Sequence, residues 1–122
     1  MTEPAVAVQK AYDWNLWILA KIEKFHRGYR FSLGQNLAQA SLDLLNHLVD
    51  ASYQNRNASS LAAASRSVNR VRILLRLAKD LRQIDLKAWE FAAHALDEIG
   101  RMTGGWLRHA QRTPSAPAAR PL

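Results

Sequence analysis

Apolar residues recur at three- and four-residue steps along almost the whole chain, and this spacing constrains the fold more than any other feature of the sequence. Residues spaced in this way lie on one face of an α-helix. Glycine and proline interrupt the pattern at only a few places, and no convincing stretch alternates apolar and polar residues as a half-buried strand does. The periodicity therefore predicts an all-α fold.

Breaks in the apolar pattern divide the chain into helices, beginning with two in the N-terminal half. The first helix is predicted over about residues 5–25, and it ends where Gly28 supplies a turn in the segment 26–30. The second helix is predicted to begin at Ser32, which forms an S-x-x-Q capping box with Gln35. A capping box satisfies two backbone N–H groups at a helix start, so it predicts where the second helix begins.

Two further helices are predicted in the C-terminal half. The third follows a polar loop, with Asn57 or Ser59 as its cap, and ends near Arg82. Asp85 caps the fourth helix, which ends near Arg108. Because the linker between these two helices is very short, they must be antiparallel neighbours. Four helices of about 20 residues joined by short loops predict an antiparallel up-and-down four-helix bundle.

Each predicted helix carries an apolar stripe that we expect to face the core. In chain order, the stripes are Ala11, Trp14, Ile18, Ile22 and Phe25; Leu33, Leu37, Ala40, Leu44, Leu48 and Ala51; Leu61, Ala64, Val68, Val71, Leu75 and Ala78; and Ala88, Phe91, Ala95, Ile99, Met102 and Trp106. The second helix has another apolar strip at Leu42, Leu45 and Val49. Ile73 and Leu77 likewise point away from the stripe of the third helix. These extra residues predict contact with another helix or another chain.

The length of 122 residues is that of one ordinary domain. The helical bundle is predicted to occupy residues 1–111. Residues 112–122 hold three of the four prolines and almost no large apolar side chain, so this tail is predicted to be disordered.

Positive charge is concentrated in the second half of the chain. Seventeen lysines and arginines face ten acidic residues, giving a formal net charge of +7. Residues 1–60 carry six basic and five acidic side chains, whereas residues 61–122 carry eleven and five. Twelve of the basic residues are arginines, whose planar guanidinium suits phosphate. The balance favours contact with nucleic acid or another polyanion, and the alternative is a solubilising surface.

The densest basic segment lies in the third predicted helix and its end. It comprises Arg66, Arg70, Arg72, Arg76, Lys79 and Arg82. At about 100° per residue, Arg72, Arg76 and Lys79 fall within roughly 60° of one another and form a ridge directed away from the core stripe. Their spacing of about 4.5–6 Å along the helix is close to phosphate separations in nucleic acid. The ridge is a candidate phosphate-binding surface, and the alternative is a solvated helix face.

A second basic cluster surrounds the first predicted turn. Arg27 and Arg30 alternate with Tyr29 and Phe31 there. Aromatic rings between basic side chains can stack a nucleic-acid base, so both arginines are candidate nucleic-acid ligands. The alternative is that the rings plug the end of the bundle.

Three glycines fall within six residues of the fourth predicted helix. Gly100 and Gly104 form a G-x-x-x-G pattern, and Gly105 follows directly. Each glycine costs a helix interior about 1 kcal/mol relative to alanine. Close approach of another helix is one reason for such a cluster, and a helix end or kink is the other. The glycine cluster and the apolar residues outside the core stripes together give the predicted packing or oligomer contacts. These residues are Ile73, Leu77, Gly100, Gly104, Gly105 and Trp106.

The sequence offers little for catalysis or metal binding. It contains no cysteine, which excludes thiolate metal sites and a cysteine nucleophile. Asp43 and His47 are four residues apart, as are Glu90 and His94, whereas di-iron bundles use Glu-x-x-His with further inward glutamates. No phosphate-cradling glycine loop, H-E-x-x-H or nucleophile elbow is present. We therefore predict no enzymatic activity, no metal and no cofactor.

No apolar run approaches the roughly 18–20 residues of a membrane span. No signal peptide is visible at the start of the sequence, and the lack of cysteine fits a reducing compartment. These observations predict a cytoplasmic protein without a membrane partner.

Three blocks of the sequence resemble one known family. The segment 96–107, LDEIGRMTGGWL, resembles the signature end of Avd, the accessory variability determinant of bacterial and phage diversity-generating retroelements. The segments 30–45, RFSLGQNLAQASLDLL, and 72–81, RILLRLAKDL, also resemble this family of small four-helix proteins. Both are shared with a sister group encoded in intervening sequences of bacterial 23S ribosomal RNA genes. Thr103 departs from the family pattern, because an apolar residue is more usual at that position.

The resemblance implies a ring-shaped homo-oligomer, usually a pentamer, in a bacterium or in the bacterial host of a phage. It implies binding to the reverse transcriptase of the element and to its template RNA, or to the complementary DNA, by a protein that is not itself the polymerase. Two alternatives stay open. One is a ribosome- or ribosomal-RNA-associated protein of the intervening-sequence type, and the other is a structural homo-oligomer whose arginines form salt bridges between subunits.

Overall fold

The computed structural model describes residues 3–112, and its main elements are four long helices. They are α1 (Glu3–Ile22), α2 (Gln35–Tyr53), α3 (Ala58–Asp80) and α4 (Leu86–Arg112). A short helical turn, Arg27–Tyr29, and a π-helical turn, Arg30–Gly34, lead directly into α2. The described part of the chain contains no strand, so the predicted all-α class is confirmed.

The four helices surround a single core. Each packs against the next along the chain, and α1 also packs against α4. Between α1 and α2, Trp14 Nε1 donates a hydrogen bond to Ser41 Oγ at 3.0 Å. Between α1 and α4, Lys10 Nζ lies 3.3 Å from Glu98 Oε1. Because the connections are short, consecutive helices run antiparallel, as expected for a four-helix bundle.

The core stripes predicted for the first three helices are confirmed, since every residue of these stripes is buried. Leu37, Leu44 and Leu48 of α2, for example, are completely inaccessible to solvent. Burial of a large apolar side chain contributes about 1.5–3 kcal/mol to folding. These stripes therefore supply the main stabilisation of the bundle.

The core stripe of α4 lies about one position later than predicted. Phe91, expected in the core, is 56% exposed, whereas Ala92 and Leu96 are buried, as is Ile99. The Phe91 ring lies at the edge of the bundle and packs on Trp17, with ring centroids 5.1 Å apart. The prediction for Phe91 was therefore wrong, because the small Ala92 faces the neighbouring helices while the large ring finds an aromatic partner at the rim. The other predicted members are half-buried: Ala88, Ala95, Met102 and Trp106.

Thr103 completes the buried stripe of α4 and is fully inaccessible to solvent. Its Oγ1 atom has no hydrogen-bond partner among the described residues. An unpaired buried hydroxyl is less favourable than an apolar group of the same size. The position of Thr103 is therefore a core position.

The second long helix is preceded by a cap that differs from the predicted capping box. Helical structure already starts at Arg27, and Ser32 lies inside the π-helical turn, where its Oγ is 3.5 Å from the carbonyl oxygens of Gly28 and Tyr29. The N-cap is His26, whose Nδ1 accepts a hydrogen bond from the Gly28 N–H at 3.0 Å. The prediction of Ser32 as the cap was therefore wrong, because the His26 imidazole caps the chain six residues earlier.

The caps of the last two helices follow the sequence in part. Asp85 Oδ1 accepts a hydrogen bond from the Ala88 N–H at 2.8 Å, so the predicted cap of α4 is confirmed. Asn57 occupies the N-cap position of α3, but its side chain makes no capping hydrogen bond. Its Nδ2 instead donates to the Ala51 carbonyl at 3.2 Å, which ties the end of α2 to the start of α3.

The end of α3 has the geometry of a Schellman motif. The Arg82 N–H donates to the Lys79 carbonyl at 2.9 Å, and the Gln83 N–H donates to the Ala78 carbonyl at 2.8 Å. Arg82 has a φ of 61°, the left-handed conformation that this motif uses and that glycine usually supplies. The helix therefore ends at Asp80, two residues before the predicted end.

The last helix is longer than predicted, since α4 reaches Arg112 instead of Arg108. Arg112 is the first residue of the predicted tail. Residues 113–122, which make up the rest of that tail, lie outside the described part of the chain.

Gly34 and Gly104 allow a matched test of packing around the backbone. A Cβ on Gly34 would lie 2.9 Å from Ile22 Cγ2 and 3.3 Å from the Tyr29 carbonyl oxygen. A Cβ on Gly104 would meet only the flexible Arg108 guanidinium, at 3.4 Å. We expect Gly34→Ala to lower the free energy of unfolding by about 1–2 kcal/mol through crowding. Gly104→Ala should raise it by about 0.5–1 kcal/mol through helix propensity.

Urea unfolding followed by circular dichroism measures both changes. The comparison is controlled internally, because both variants make the same glycine-to-alanine change within helical backbone. Equal changes in the two variants would contradict the crowding around Gly34.

Candidate nucleic-acid interface

The predicted basic residues of α3 divide into two faces. By helical register, Arg72, Arg76 and Lys79 lie on the side of α3 that adjoins α4. Arg66 and Arg70 lie on a different side of the helix, more than 100° away from the Arg72 position. The structure therefore brings three of the basic residues together on one face and leaves the others apart from them.

A groove between α3 and α4 is lined by Arg72 and Arg76, two members of the first group, and we call it the α3/α4 groove. It has a volume of about 230 Å³, and the charged and aromatic groups that line it are Arg72, Arg76, Trp89 and Asp97. Two guanidinium groups therefore share one groove with one indole ring and one carboxylate. This combination can bind an anion and offers an aromatic surface beside it.

Arg72 is held across the groove by a partner on α4. Its Nη2 lies 3.1 Å from Asp97 Oδ1, and its Nη1 donates to Asn69 Oδ1 at 3.3 Å. Gly100 leaves room for this arrangement, since a Cβ at that position would lie 2.9 Å from Arg72 Nη2. Both members of the Arg72–Asp97 pair are well exposed. Exposed pairs contribute only about 0–1 kcal/mol, so an incoming anion can replace the carboxylate.

Lys79 covers the aromatic ring of the same groove. Its Nζ lies 4.2 Å from the centroid of the Trp89 ring and 3.8 Å from Asp80 Oδ1. A cation above an indole face is a favourable contact of about 0.5–1 kcal/mol at an exposed site. The flexible Lys79 side chain therefore lies on the aromatic surface without being locked there.

Two further arginines extend the positive charge beyond these pairs. Arg76 is exposed, and no carboxylate in the described part of the chain lies within 4.0 Å of it. Arg82 is exposed in the turn after α3, and no carboxylate within residues 3–112 lies within 4.0 Å of it either. Both guanidinium groups are available to a polyanion.

Arg66 and Arg70 begin a second stripe that continues into exposed apolar residues. The stripe, which we call the α3 stripe, consists of Arg66, Arg70, Ile73 and Leu77, at steps of four, three and four residues. Ile73 is 65% exposed and Leu77 is 45% exposed, so the prediction that both point away from the core is confirmed. The α3 stripe is basic at one end and apolar at the other.

Arg27 and Arg30 lie at the end of the bundle that also holds the turn after α3. The two segments are joined there, because the His26 N–H donates to Gln83 Oε1 at 2.6 Å. Arg27 is exposed. Arg30 is half-buried, and its Nε atom has no hydrogen-bond partner within the described range. Phe31 is 74% exposed and does not plug the bundle, whereas Tyr29 is half-buried and packs against the core.

The three glycines of α4 have different surroundings. Gly100 faces the Arg72 guanidinium and Val68 of α3. A Cβ on Gly104 or Gly105 would meet no atom of another helix within 4 Å, only the Arg108 guanidinium. The helix does not end at these residues, because α4 continues to Arg112. Trp106, next to them, is half-buried against the core.

Exposed apolar side chains lie along α1, in the π-helical turn and on α2. We call this set the α1/α2 surface, and its members are Tyr12, Leu16, Leu19, Phe31 and Leu42. Leu19 and Phe31 border the same hollow between the two helices. Apolar areas that extend across two helices are typical of protein interfaces.

Several residues of these surfaces were missed by sequence reasoning. Tyr12, Leu16 and Leu19 are spaced by four and three residues, so their stripe was visible in the helical periodicity. Trp89 and Asp97 gave no such signal, because their partners lie on another helix.

The described residues form neither a metal-binding cluster nor a membrane-spanning helix. Among the described residues, no three His, Asp or Glu side chains lie close enough together to hold a metal ion. Asp43, which lies four residues before His47, accepts a hydrogen bond from Gln39 Nε2 at 2.9 Å. Within residues 3–112, every helix lacks the long apolar stretch that spanning a bilayer requires.

The fold and its charged surfaces define the class of the protein as a small basic four-helix bundle. A family model described as bAvd-like matches residues 5–110, which is nearly the whole described bundle. The chain therefore belongs to the bAvd-like family, and the resemblance to Avd is confirmed. Comparisons with curated proteins and with solved structures gave no match.

Proposed function

We propose that this chain is a non-catalytic accessory protein of a diversity-generating retroelement. It binds the template RNA or its complementary DNA through a basic surface centred on the α3/α4 groove. It also binds the reverse transcriptase of the element and thereby supports mutagenic reverse transcription. The observation that carries this proposal is the cluster of Arg72, Arg76 and Lys79 on one face of a bAvd-like bundle.

Electrostatics support nucleic acid as the ligand. Arg72 and Arg76 are one helical turn apart, a rise of about 6 Å, which suits successive phosphates of one strand. Arg82 and Arg27 extend the positive charge to the adjacent end of the bundle. Each phosphate neutralised by a basic side chain releases condensed counterions, which makes such binding favourable at low salt and sensitive to added salt.

The apolar surfaces support self-association as part of this function. The α1/α2 surface and the apolar end of the α3 stripe are different patches, so a contact between them is head-to-tail. Head-to-tail contacts generate a ring when the rotation between neighbours closes. We propose a cytoplasmic ring-shaped homo-oligomer, with a pentamer as the expected size, that presents several copies of the α3/α4 groove to one RNA.

Co-purification tests the proposed partners together. The tagged chain is co-expressed with the reverse transcriptase and template RNA of the same element and recovered by affinity chromatography. We expect both to be retained, with the RNA released between about 50 mM and about 200 mM salt because its contacts are ionic. A tagged chain carrying Arg72→Glu and Arg76→Glu is the matched control for RNA retention. Recovery of neither partner at low salt would overturn the proposal.

A further inference from the structure

Two side chains that line the α3/α4 groove, Arg72 and Trp89, already contact charged groups of the protein itself. The Asp97 carboxylate lies 3.1 Å from Arg72 Nη2, in the position where a phosphate oxygen would bind. The Lys79 ammonium lies 4.2 Å from the Trp89 ring centroid, over the face on which a base would stack. An anion substitute and a cover for the aromatic face are therefore found on Arg72 and Trp89, two side chains that line a single groove.

We infer that the α3/α4 groove binds single-stranded nucleic acid in preference to duplex. One phosphate replaces Asp97 on Arg72, and one base replaces Lys79 on the Trp89 ring. This inference rests on the proposed function and adds to it the strand state of the ligand. Lys79, once displaced from the ring, is free to contact a neighbouring phosphate.

The exchange is favourable because both internal contacts are weak ones. The Arg72 and Asp97 side chains are 41% and 58% exposed, and exposed ion pairs contribute little. A phosphate offers the guanidinium a charge-assisted bidentate contact, which is stronger. Stacking of a base on an aromatic side chain strengthens binding by about 5- to 100-fold per base.

Strand preference comes from Trp89 and not from the arginines. Arg72 and Arg76 contact phosphates, which single strands and duplexes both present. A base face becomes accessible to an indole ring only when the base is unpaired and unstacked. The arginines therefore provide affinity for either form, whereas the Trp89 ring favours the single strand.

The molecule contains a second lysine-covered tryptophan that serves as a control. Lys21 Nζ lies 5.5 Å from the Trp17 ring centroid, in the region between α1 and α4. Two grooves border Trp17; both include the acidic Asp13, and the one on the Lys21 side also includes Lys24. No arginine lines either groove, so Trp17 has the aromatic feature without a guanidinium group beside it.

The test compares a labelled single-stranded RNA of about 16 nucleotides with the same strand annealed to its complement, at one salt concentration. The wild-type chain should bind the single strand more tightly. Trp89→Leu should weaken single-strand binding by about 5- to 100-fold and duplex binding by less than about twofold. Trp89→Phe should retain most of the preference, and Trp17→Leu should change neither affinity. Equal loss for both RNAs in Trp89→Leu would overturn the inference.

Asp97→Asn tests the other half of the exchange. The amide keeps the size of the side chain but no longer competes with phosphate, so affinity should rise by about two- to fivefold for single strand and duplex alike. An unchanged or lower affinity would show that Asp97 does not occupy the phosphate position.

A measurement on the unmodified chain covers the case in which Trp89→Leu fails to fold. Single-stranded RNA containing 4-thiouridine is photo-cross-linked to the wild-type chain, and the cross-linked residue is mapped by mass spectrometry. A cross-link at Trp89 supports the inference, whereas cross-links confined to residues outside the groove overturn it. If the wild-type chain bound both RNAs equally, the proposed function would stand and the strand preference would fall. Binding of neither RNA would remove the proposed function itself.

Discussion

Reversing two charges in the α3/α4 groove, in the variant Arg72→Glu/Arg76→Glu, is expected to lower the affinity for RNA by about 100-fold or more at about 50 mM salt. Each arginine lost removes a phosphate contact, and each glutamate introduced repels a phosphate. The slope of log affinity against log salt concentration should become shallower by about 2, because two phosphate contacts disappear. Fluorescence anisotropy of a labelled RNA over a series of salt concentrations measures both quantities.

The matched control is Arg56→Glu/Arg112→Glu, which changes the net charge by the same amount. Both arginines are exposed, and neither lines the α3/α4 groove. We expect this variant to lose less than about tenfold in affinity, because charges away from the contact act only through screened long-range attraction. Equal weakening by the two variants would mean that overall charge drives binding and that the groove is not the site. Circular dichroism of both variants checks that the bundle is intact.

The core could be predicted from the sequence for three helices because the longest line of apolar residues on each is the one that faces the core. On α4 the apolar residues follow two adjacent lines, one through Phe91 and Met102 and the other through Ala92 and Leu96, and Ile99 fits both. Lines one residue apart differ by about 100° around the helix. Periodicity alone does not select between them. The choice depends on which helices lie opposite α4, and that is tertiary information.

The same rotation of α4 explains which part of the candidate site was predictable. The ridge of Arg72, Arg76 and Lys79 follows from register within one helix, so it was found from the sequence. Asp97 and Trp89 meet this ridge only because α4 is rotated to present them. Arg72 and Asp97 are 25 residues apart, and no local pattern connects them. The positions of the basic side chains were therefore predictable from the sequence, whereas the α4 groups that contact them were not.

Local signals also competed with one another at the start of α2. The pair Ser32 and Gln35 has the spacing of a capping box, but such a box acts only at a residue where the helix begins. His26 caps the chain first, and the π-helical turn carries the helical hydrogen bonding through Ser32. The extra residue of a π-turn is invisible to a pattern that assumes regular helical spacing.

Replacing Leu16 and Leu42 by glutamate is expected to dissociate the proposed homo-oligomer to protomers of 13.8 kDa. Both leucines belong to the α1/α2 surface, and both are exposed in the protomer. Two carboxylates buried against an apolar partner without compensating cations are strongly unfavourable, so the contact between subunits should be lost. Size-exclusion chromatography with light scattering measures the mass. In the matched control, Tyr53→Glu/Leu86→Glu, exposed apolar residues at helix ends are replaced, and the mass of the wild-type assembly should be kept.

Mixing two dissociated variants tests the head-to-tail contact directly. Ile73→Glu/Leu77→Glu alters the apolar end of the α3 stripe, and it should also dissociate the assembly. Each variant keeps the patch that the other has lost, so an equal mixture can form one intact contact between the two variants. The mixture should therefore give a dimer, because the remaining patches are both altered and a ring cannot close. If each patch instead met its own copy, either variant alone would still form a dimer through its intact patch. A dimer of either variant by itself would therefore contradict the head-to-tail contact, and an assembly of wild-type mass in both would show that subunits meet elsewhere.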